Sequence, residues 1–205
     1  MTRRPTPHRI GLTGGIGSGK STVGKILQAR GAAIMDADAI SRSLTSAHGL
    51  AMSEIAQVFG SAFVDSHGAL NREHMRAHVF THPHAKQTLE AIIHPLVAQE
   101  IQRQADVATN AGHHTLVFDV PLLVESGRWR SLVNHVLVVD CLVETQIQRV
   151  MARNAFDRDT VEKIIASQAT RDQRLACADW VIYNDQLSLA ELHELVAALA
   201  LNAHL

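Results

Sequence analysis

Short apolar runs along the chain predict the strands of a sheet. Three of them, at 116–118, 136–139 and 181–182, are continuous aliphatic or β-branched stretches, which are typical of strands that helices cover on both faces. Patterns with a helical period separate the runs, so the alternation indicates right-handed βαβ units and a parallel sheet. The predicted strands are Arg9–Thr13, Ala32–Asp36, Thr115–Val120, His135–Asp140 and Trp180–Tyr183.

The alternation of strands and helices breaks once, between the second and the third strand. Residues 37–111 carry helical patterns and form too long a segment for a simple crossover. Parallel sheets bind ligands at the carboxyl ends of their strands, so an insertion here is expected to bind substrate. We predict a core domain of residues 8–36 and 112–205, and helices in the insertion at Ala37–Leu44, Leu50–Phe59, Asn71–Phe80 and Pro83–Asn110.

Composition and charge narrow the range of partners. The 205 residues are 46% apolar, enough for the core of one α/β domain with an insertion. The net charge is −1 and the basic residues are scattered, which disfavours nucleic acid and anionic membranes as partners. Neither the 13 histidines nor the two cysteines have metal-site spacing, and no apolar run could span a membrane. We expect a cytoplasmic protein, either a monomer or a weak homo-oligomer.

The most informative motif is RIGLTGGIGSGKST, from Arg9 to Thr22. Its residues 14–21 satisfy G-x-x-x-x-G-K-[ST], the phosphate-binding loop, between an apolar strand and a helical pattern. Such a loop surrounds phosphate oxygens with backbone N–H groups, and the following helix adds the positive end of its dipole. The alternative is a glycine-rich turn that only caps a helix. We predict that a nucleoside triphosphate binds at Gly15, Gly17, Ser18, Gly19, Lys20, Ser21 and Thr22.

Each residue type in the loop has a physical task. We expect Gly15, Gly17 and Gly19 to adopt positive φ and so let the backbone approach the phosphates closely. Lys20 is long enough to reach the β- and γ-phosphates, where it neutralises charge during catalysis. The Ser21 hydroxyl is a suitable ligand for Mg²⁺, the expected cofactor.

A charged stretch at 149–174 follows the fourth strand and is a candidate lid over the phosphates. Guanidinium groups can clamp the equatorial oxygens of a transferring phosphoryl group, although most of these residues also suit a solvated helix face. Arg149 is the best candidate, because it follows the strand by about two helical turns. The cationic residues of the stretch are Arg149, Arg153, Arg158, Lys163, Arg171 and Arg174.

Three aspartates end predicted strands and are candidates for chemistry. Asp36 and Asp38 would project to the same side of an extended backbone, where one carboxylate could accept a hydroxyl proton and the other could orient the substrate or link to Mg²⁺. The alternative for Asp38 is a helix N-cap. Asp119 ends the third strand, where it could serve Mg²⁺ or simply begin a turn before Pro121.

The assembled motifs resemble those of the dephospho-coenzyme A kinases, and the resemblance covers nearly the whole chain. The phosphate loop alone would indicate only a nucleotide-binding protein, whereas the order and spacing of the segments together are specific. These segments are GLTGGIGSGKST, MDAD at 35–38, IIHPLV at 92–97, PLLVES at 121–126, VLVVDC at 136–141, ETQIQR at 144–149 and QATRDQRLACADWVIYN at 168–184.

The resemblance implies transfer of the γ-phosphoryl group of ATP to the 3′-hydroxyl of dephospho-coenzyme A, the last step of coenzyme A synthesis. It implies the three-layer α/β fold of the P-loop kinases, with a five-stranded parallel sheet, a helical coenzyme A subdomain and a small lid. By this resemblance Asp38 is the catalytic base and Arg149 the catalytic arginine. His94 matches the family's His-Pro position, and Arg72 is a candidate partner for a substrate phosphate. The alternative for His94 is a helix N-cap with Pro95 as the first helical residue.

The sequence departs from the family pattern at two places, and two other functions are also compatible with its residues. The chain has a short N-terminal extension, and it reads Asn184-Asp185-Gln186 where the family commonly has a glycine soon after the asparagine. The residues alone also allow a kinase for a nucleoside or nucleotide, because the insertion decides the acceptor. A GTP-dependent switch is the other rival, although the guanine-binding sequence N-K-x-D is absent.

Overall fold

A five-stranded parallel sheet forms the centre of the computed structural model, which describes residues 6–121 and 123–203. The strand order is β2-β3-β1-β4-β5, so the first strand lies in the middle. This confirms the predicted α/β fold with a parallel sheet. The strands are β1 His8–Gly14, β2 Ala33–Asp36, β3 Thr115–Asp119, β4 His135–Asp140 and β5 Trp180–Tyr183.

The register places the carboxyl ends of three strands side by side. Leu12 of β1 pairs with Asp119 of β3, and Gly14 pairs with Val139 of β4. The segment that leaves β1 therefore starts between the ends of β3 and β4. This edge is where parallel α/β sheets bind their ligands.

Helices follow each strand, in the alternation that the hydrophobic pattern predicts. They are α1 Lys20–Ala29, α2 Ala37–Leu44, α3 Met52–Phe59, α4 Arg72–Thr81, α5 Pro83–Asn110, α6 Leu123–Ser126, α7 Val143–Asn154, α8 Arg158–Ala166, α9 Arg171–Ala176 and α10 Leu189–Asn202. Short 3₁₀ turns lie at Ser61–Phe63 and Arg128–Leu132. No helix among the described residues is long and apolar enough to cross a bilayer.

The sheet is the core of the molecule because its central strands have apolar side chains on both faces. Leu12, Val117 and Leu137 are fully buried and pack with residues of α1 and α10. Burying one such aliphatic side chain stabilises a fold by about 1.5–3 kcal/mol, so the packing of this layer contributes strongly to the stability of the sheet.

The chain divides into two compact units. Residues Asp36–Asp106 form one of them, and the residues before and after this stretch form the other. The first of these units is helical and contains α2, α3, α4 and most of α5. The other contains β1, β3, β4, β5 and all of β2 but its last residue, together with α1 and the helices from α6 onward.

Candidate active site

The phosphate-loop motif forms a turn between the end of β1 and the start of α1. Gly17 and Gly19 have φ angles of 75° and 97°, in the left-handed region that glycine adopts without a steric penalty. Gly19 is the N-cap of α1, whose first helical residue is Lys20. In the first turn the N–H groups of Thr22 and Val23 donate to the carbonyl oxygen of Gly19. Backbone N–H groups at the start of a helix that have no such acceptor are the kind of donors that bind phosphate.

Gly15 has a different role from the one predicted. Its φ is not positive, so the expectation of a left-handed conformation there is wrong. Glycine is needed here because neighbouring side chains leave no room for a larger residue. A Cβ at this position would collide with the side-chain amide of Gln146 and lie 3.0 Å from Nη2 of Arg174. The loop is therefore in close contact with α7 and α9 at this point.

Lys20 and Asp119 form an ion pair at the edge of the sheet. The Lys20 ammonium group donates to Oδ1 of Asp119, and their side chains are 15% and 12% exposed. Asp119 stands at the carboxyl end of β3, beside β1 in the sheet. The pair holds the ammonium group at the strand ends, next to the loop whose motif predicts phosphate binding.

Two side chains from outside the loop hold its carbonyl groups. Nη1 of Arg149, on α7, lies 3.3 Å from the carbonyl oxygen of Gly17 and 3.4 Å from that of Ser18. The buried amide of Asn184 donates to the same Ser18 oxygen at 2.8 Å. These contacts turn the loop carbonyls toward donors and place a guanidinium group directly against the predicted phosphate site.

A second arginine is fixed at the carboxyl end of β4. Arg171 donates through Nη2 to Oδ2 of Asp140 at 2.6 Å and through Nε to the same oxygen at 2.9 Å. The hydrogen bond with this carboxylate, followed by its charge, raises the pKa of Arg171. Asp140 is buried, whereas the side chain of Arg171 is 43% exposed. The carboxylate therefore orients the guanidinium group, which remains partly open to solvent.

Cys141 lies directly after Asp140 and is buried. Burial raises the pKa of its thiol to about 11, which outweighs the opposing effect of Arg149. The thiol therefore stays protonated at neutral pH and is not an activated nucleophile.

The two aspartates of the MDAD segment have different roles. Asp36 is the N-cap of α2, and its Oδ1 accepts a hydrogen bond from the backbone N–H of Ala39 at 2.8 Å. The prediction that Asp38 could be the cap is wrong, and so is the prediction of an extended backbone through both carboxylates, because helix α2 begins at Ala37. Asp38 lies in the first turn of α2 with an exposed side chain that makes no hydrogen bond or ion pair with any residue the structure describes.

The remaining predicted substrate contacts lie in the Asp36–Asp106 unit. Arg72 begins α4, and its Nη2 donates to Oγ1 of the buried Thr45 at 2.8 Å, which fixes the guanidinium group. His94 is half-buried within α5. The alternative of a histidine cap is wrong, since Pro95 is inside a helix that begins at Pro83.

The structure thus brings part of the predicted set together. Lys20, Arg149 and the loop residues Gly15, Gly17, Ser18, Gly19, Ser21 and Thr22 meet at one edge of the sheet. Asp38, Arg72 and His94 lie on three helices of the other unit. Gln146 and Asn184 are neighbours of the loop that the sequence pattern did not indicate. The available signal was weak: Asn184 is a polar residue directly after a strand.

This edge of the sheet has the elements that phosphoryl transfer requires. The loop offers backbone donors, and Lys20 and Arg149 offer positive charge where negative charge would develop. No group of three or more His, Cys, Asp or Glu side chains in the described part of the chain is arranged to hold a metal ion.

Comparison with known proteins identifies the family. The family model of dephospho-CoA kinase matches residues 8–190. A dephospho-CoA kinase from Albidiferax ferrireducens is 61% identical over 184 residues, which cover 90% of this chain and 87% of that protein. The crystal structure of TT1252 from Thermus thermophilus is similar with a TM-score of 0.83 at 30% identity, covering 98% of this chain and 99% of that one.

A further solved structure shares the fold. Dephospho-CoA kinase from Campylobacter jejuni is similar with a TM-score of 0.71 at 24% identity, covering 95% of this chain and 96% of that one. The resemblance predicted from the motifs is confirmed. The chain belongs to the dephospho-CoA kinase family and is an ATP-dependent kinase.

Proposed function

We propose that this protein phosphorylates dephospho-coenzyme A, moving the γ-phosphoryl group of ATP to the 3′-hydroxyl of the ribose to give coenzyme A. The observation that carries this proposal is the 61% identity with the dephospho-CoA kinase of Albidiferax ferrireducens over nearly the full length of both chains. The loop, Lys20 and Arg149 supply the charge stabilisation that this reaction needs.

We assign ATP binding to the loop between β1 and α1. Gly15 and residues 17–22 would surround the phosphate oxygens, with backbone N–H groups as donors, and Gly17 and Gly19 would give the backbone its curvature. Lys20 would exchange part of its ion pair with Asp119 for the β- and γ-phosphates. This exchange is favourable because an ammonium group already held at the site loses little conformational entropy on binding.

Arg149 stabilises the transferring group in this proposal. Its guanidinium group is held next to the loop by the Gly17 and Ser18 carbonyl oxygens, which both accept hydrogen bonds from Nη1. The remaining donors can bond the equatorial oxygens, on which negative charge accumulates during transfer. We propose the segment 149–174 as a lid that helps to exclude water, which would otherwise hydrolyse ATP.

Asp38 is the proposed catalytic base. Its exposed carboxylate has no protein partner in the part of the chain described, so it remains available to accept the proton of the acceptor hydroxyl. We further propose that Arg72 pairs with a phosphate of dephospho-coenzyme A and that His94 contacts the same substrate. Arg72 suits this role because Thr45 orients its guanidinium group while the residue stays exposed.

The oxygen donors near the loop suit Mg²⁺. The Ser21 hydroxyl is exposed in the first turn of α1, and the Asp119 carboxylate ends β3. A hydroxyl and a carboxylate fit a cation that prefers oxygen and takes most of its ligands from phosphates and water. We propose Ser21 as the direct protein ligand, with Asp119 acting directly or through water. The ion would supply charge neutralisation between the β- and γ-phosphates.

Two free cysteines, Cys141 and Cys177, are consistent with a reducing compartment, and we propose that the enzyme works in the cytoplasm. For its oligomeric state, a monomer or a weak homo-oligomer remains our proposal.

An acceptor panel tests the function. ATP consumption would be followed with dephospho-coenzyme A, with a nucleoside monophosphate and with no acceptor, and GTP would replace ATP in parallel. We expect rapid turnover only with ATP and dephospho-coenzyme A together. Faster phosphorylation of the nucleoside monophosphate would establish the rival kinase instead. Slow, acceptor-independent hydrolysis with a preference for GTP would establish a nucleotide switch.

A further inference from the structure

A glutamine distant in sequence holds the apex of the phosphate loop. Oε1 of Gln168 accepts a hydrogen bond from the backbone N–H of Ile16 at 3.0 Å, and the bond is partly buried. Gln168 lies between α8 and α9, whereas Ile16 lies between the glycines of the loop. Because the donor is an amide N–H, the oxygen of the glutamine must face it, which settles the orientation of the side chain.

The same loop residue is also held through its side chain. Ile16 packs against an apolar cluster of Ile147, Val150 and Val161, which belongs to α7 and α8. The cluster fixes the side of the loop that faces these helices, and Gln168 fixes the direction of the adjoining peptide group. Ile16 is thus held at two points, one apolar and one polar.

Gln168 is itself held in place by its neighbour in the chain. The backbone N–H of Ala169 donates to Oε1 of Glu125, on α6, at 2.8 Å. The carbonyl oxygen of Ala169 accepts a hydrogen bond from the buried guanidinium group of Arg174, which also lies against Gly15. The backbone at 168–169 therefore has little freedom, and the glutamine amide is presented to the loop in one orientation.

We propose that Gln168 is a positioning residue of the kinase, which accepts the Ile16 N–H and so keeps the phosphate loop in the conformation that receives ATP. An unbonded Ile16 peptide could rotate, and rotation would turn the neighbouring N–H groups away from the phosphates. The inference rests on the proposed function only in so far as ATP is the nucleotide bound. It assigns Gln168 no contact with the acceptor.

The test compares Gln168→Met with the wild-type protein. Methionine keeps the length and volume of the side chain but cannot accept this hydrogen bond. Gln28→Met, on the exposed face of α1, makes the same chemical change away from the site. Hydrogen exchange of the Ile16 amide is followed by NMR, and ATP affinity is measured by calorimetry without acceptor. The Michaelis constants for ATP and dephospho-coenzyme A are then determined separately.

We expect the Ile16 amide to exchange faster in Gln168→Met and ATP affinity to fall about five- to tenfold, the ordinary worth of one hydrogen bond. The Michaelis constant for dephospho-coenzyme A should not change, and Gln28→Met should behave as wild type. If Gln168 only stabilised the fold, Gln168→Met would lower the melting temperature but would not weaken ATP binding selectively, because the protein would still be folded at the assay temperature.

Three results would overturn the proposal: an Ile16 amide that exchanges at the wild-type rate, ATP affinity within twofold of wild type, or an equal loss of affinity for both substrates. Gln168→Ala serves as the second variant if methionine is not tolerated. A wild-type protein that binds ATP but does not phosphorylate dephospho-coenzyme A would refute the proposed function and leave this inference testable.

Discussion

The carboxylate of Asp36 accepts a hydrogen bond from the backbone N–H of Ala39 at 2.8 Å and so begins helix α2. This bond separates two acidic residues that the sequence pattern treats alike. Asp36 caps the helix, whereas Asp38 is exposed in the first turn of the same helix and is our proposed base. The two roles can be tested independently.

Removing the cap should affect stability and spare the reaction. We expect Asp36→Ala to lower the free energy of unfolding by about 1 kcal/mol, the usual cost of losing an N-cap. Asp36→Ser keeps a capping oxygen and should retain both the stability and the turnover of the wild type. Chemical denaturation and a turnover assay provide the two measurements. An Asp36→Ser protein with normal stability but little activity would return Asp36 to the catalytic residues.

Removing the proposed base should affect turnover alone. We expect Asp38→Asn to bind ATP with wild-type affinity and to lose turnover by about 10²- to 10⁴-fold, the range of general acid–base catalysis. Calorimetry gives the ATP affinity, and a coupled assay gives the rate. Turnover at the wild-type rate would show that the proton goes elsewhere.

We expect that an ammonium group cannot replace the guanidinium group of Arg149 in catalysis. Lysine cannot hold the loop carbonyls and the transferring phosphoryl group with one planar set of donors. We expect Arg149→Lys to reduce kcat by roughly a hundredfold, as for the loss of one charge-stabilising donor. Arg30→Lys, an exposed residue at the end of α1, is the matched control and should be silent. A fully active Arg149→Lys enzyme would exclude Arg149 from transition-state stabilisation.

Aromatic and imidazole rings pack together around His78, and we expect this packing to make the folded protein less stable in acid. His78 of α4 stacks on His82 at a centroid distance of 4.1 Å and also meets Phe63 at 5.0 Å. Burial, and then the charges of His82 and His74, lower the pKa of His78 below its ordinary 6.5. The unfolded chain therefore takes up a proton at a higher pH than the folded one. The stabilising contribution is present above pH 6.5 and is lost as the pH falls through the lowered value.

Melting temperatures measured from about pH 7.5 to about pH 5.5 test this expectation, since the ordinary pKa of histidine lies within this interval. His78→Phe keeps a ring against Phe63 and removes the titration, so its melting temperature should fall less over the interval. His193→Phe, on the exposed face of α10, is the control. Parallel curves for all three proteins would contradict the assignment to His78.

The sheet and the phosphate loop could be predicted because their signals are local. Continuous apolar runs indicate strands that are buried on both faces, and the loop motif specifies glycine and lysine at fixed positions. The helical insertion was also predicted, and the predicted helix Pro83–Asn110 has the same ends as the observed α5.

What could not be predicted depends on contacts between distant segments. Gly15 is required by the side chains of Gln146 and Arg174, and no local pattern shows this crowding. Asp36 rather than Asp38 is the N-cap because helix α2 begins at Ala37, and the local pattern does not specify this start. The departure at Asn184-Asp185-Gln186 also has a local structural consequence, because Gln186 adopts a φ of 55° that a glycine would adopt more easily.

The decisive experiment measures ATP consumption by the wild-type protein with and without dephospho-coenzyme A and determines by NMR the position of the new phosphate on the product. We expect consumption that depends on the acceptor and a product phosphorylated at the ribose 3′-hydroxyl. Equal consumption in the absence of dephospho-coenzyme A, or phosphate at another position, would contradict it.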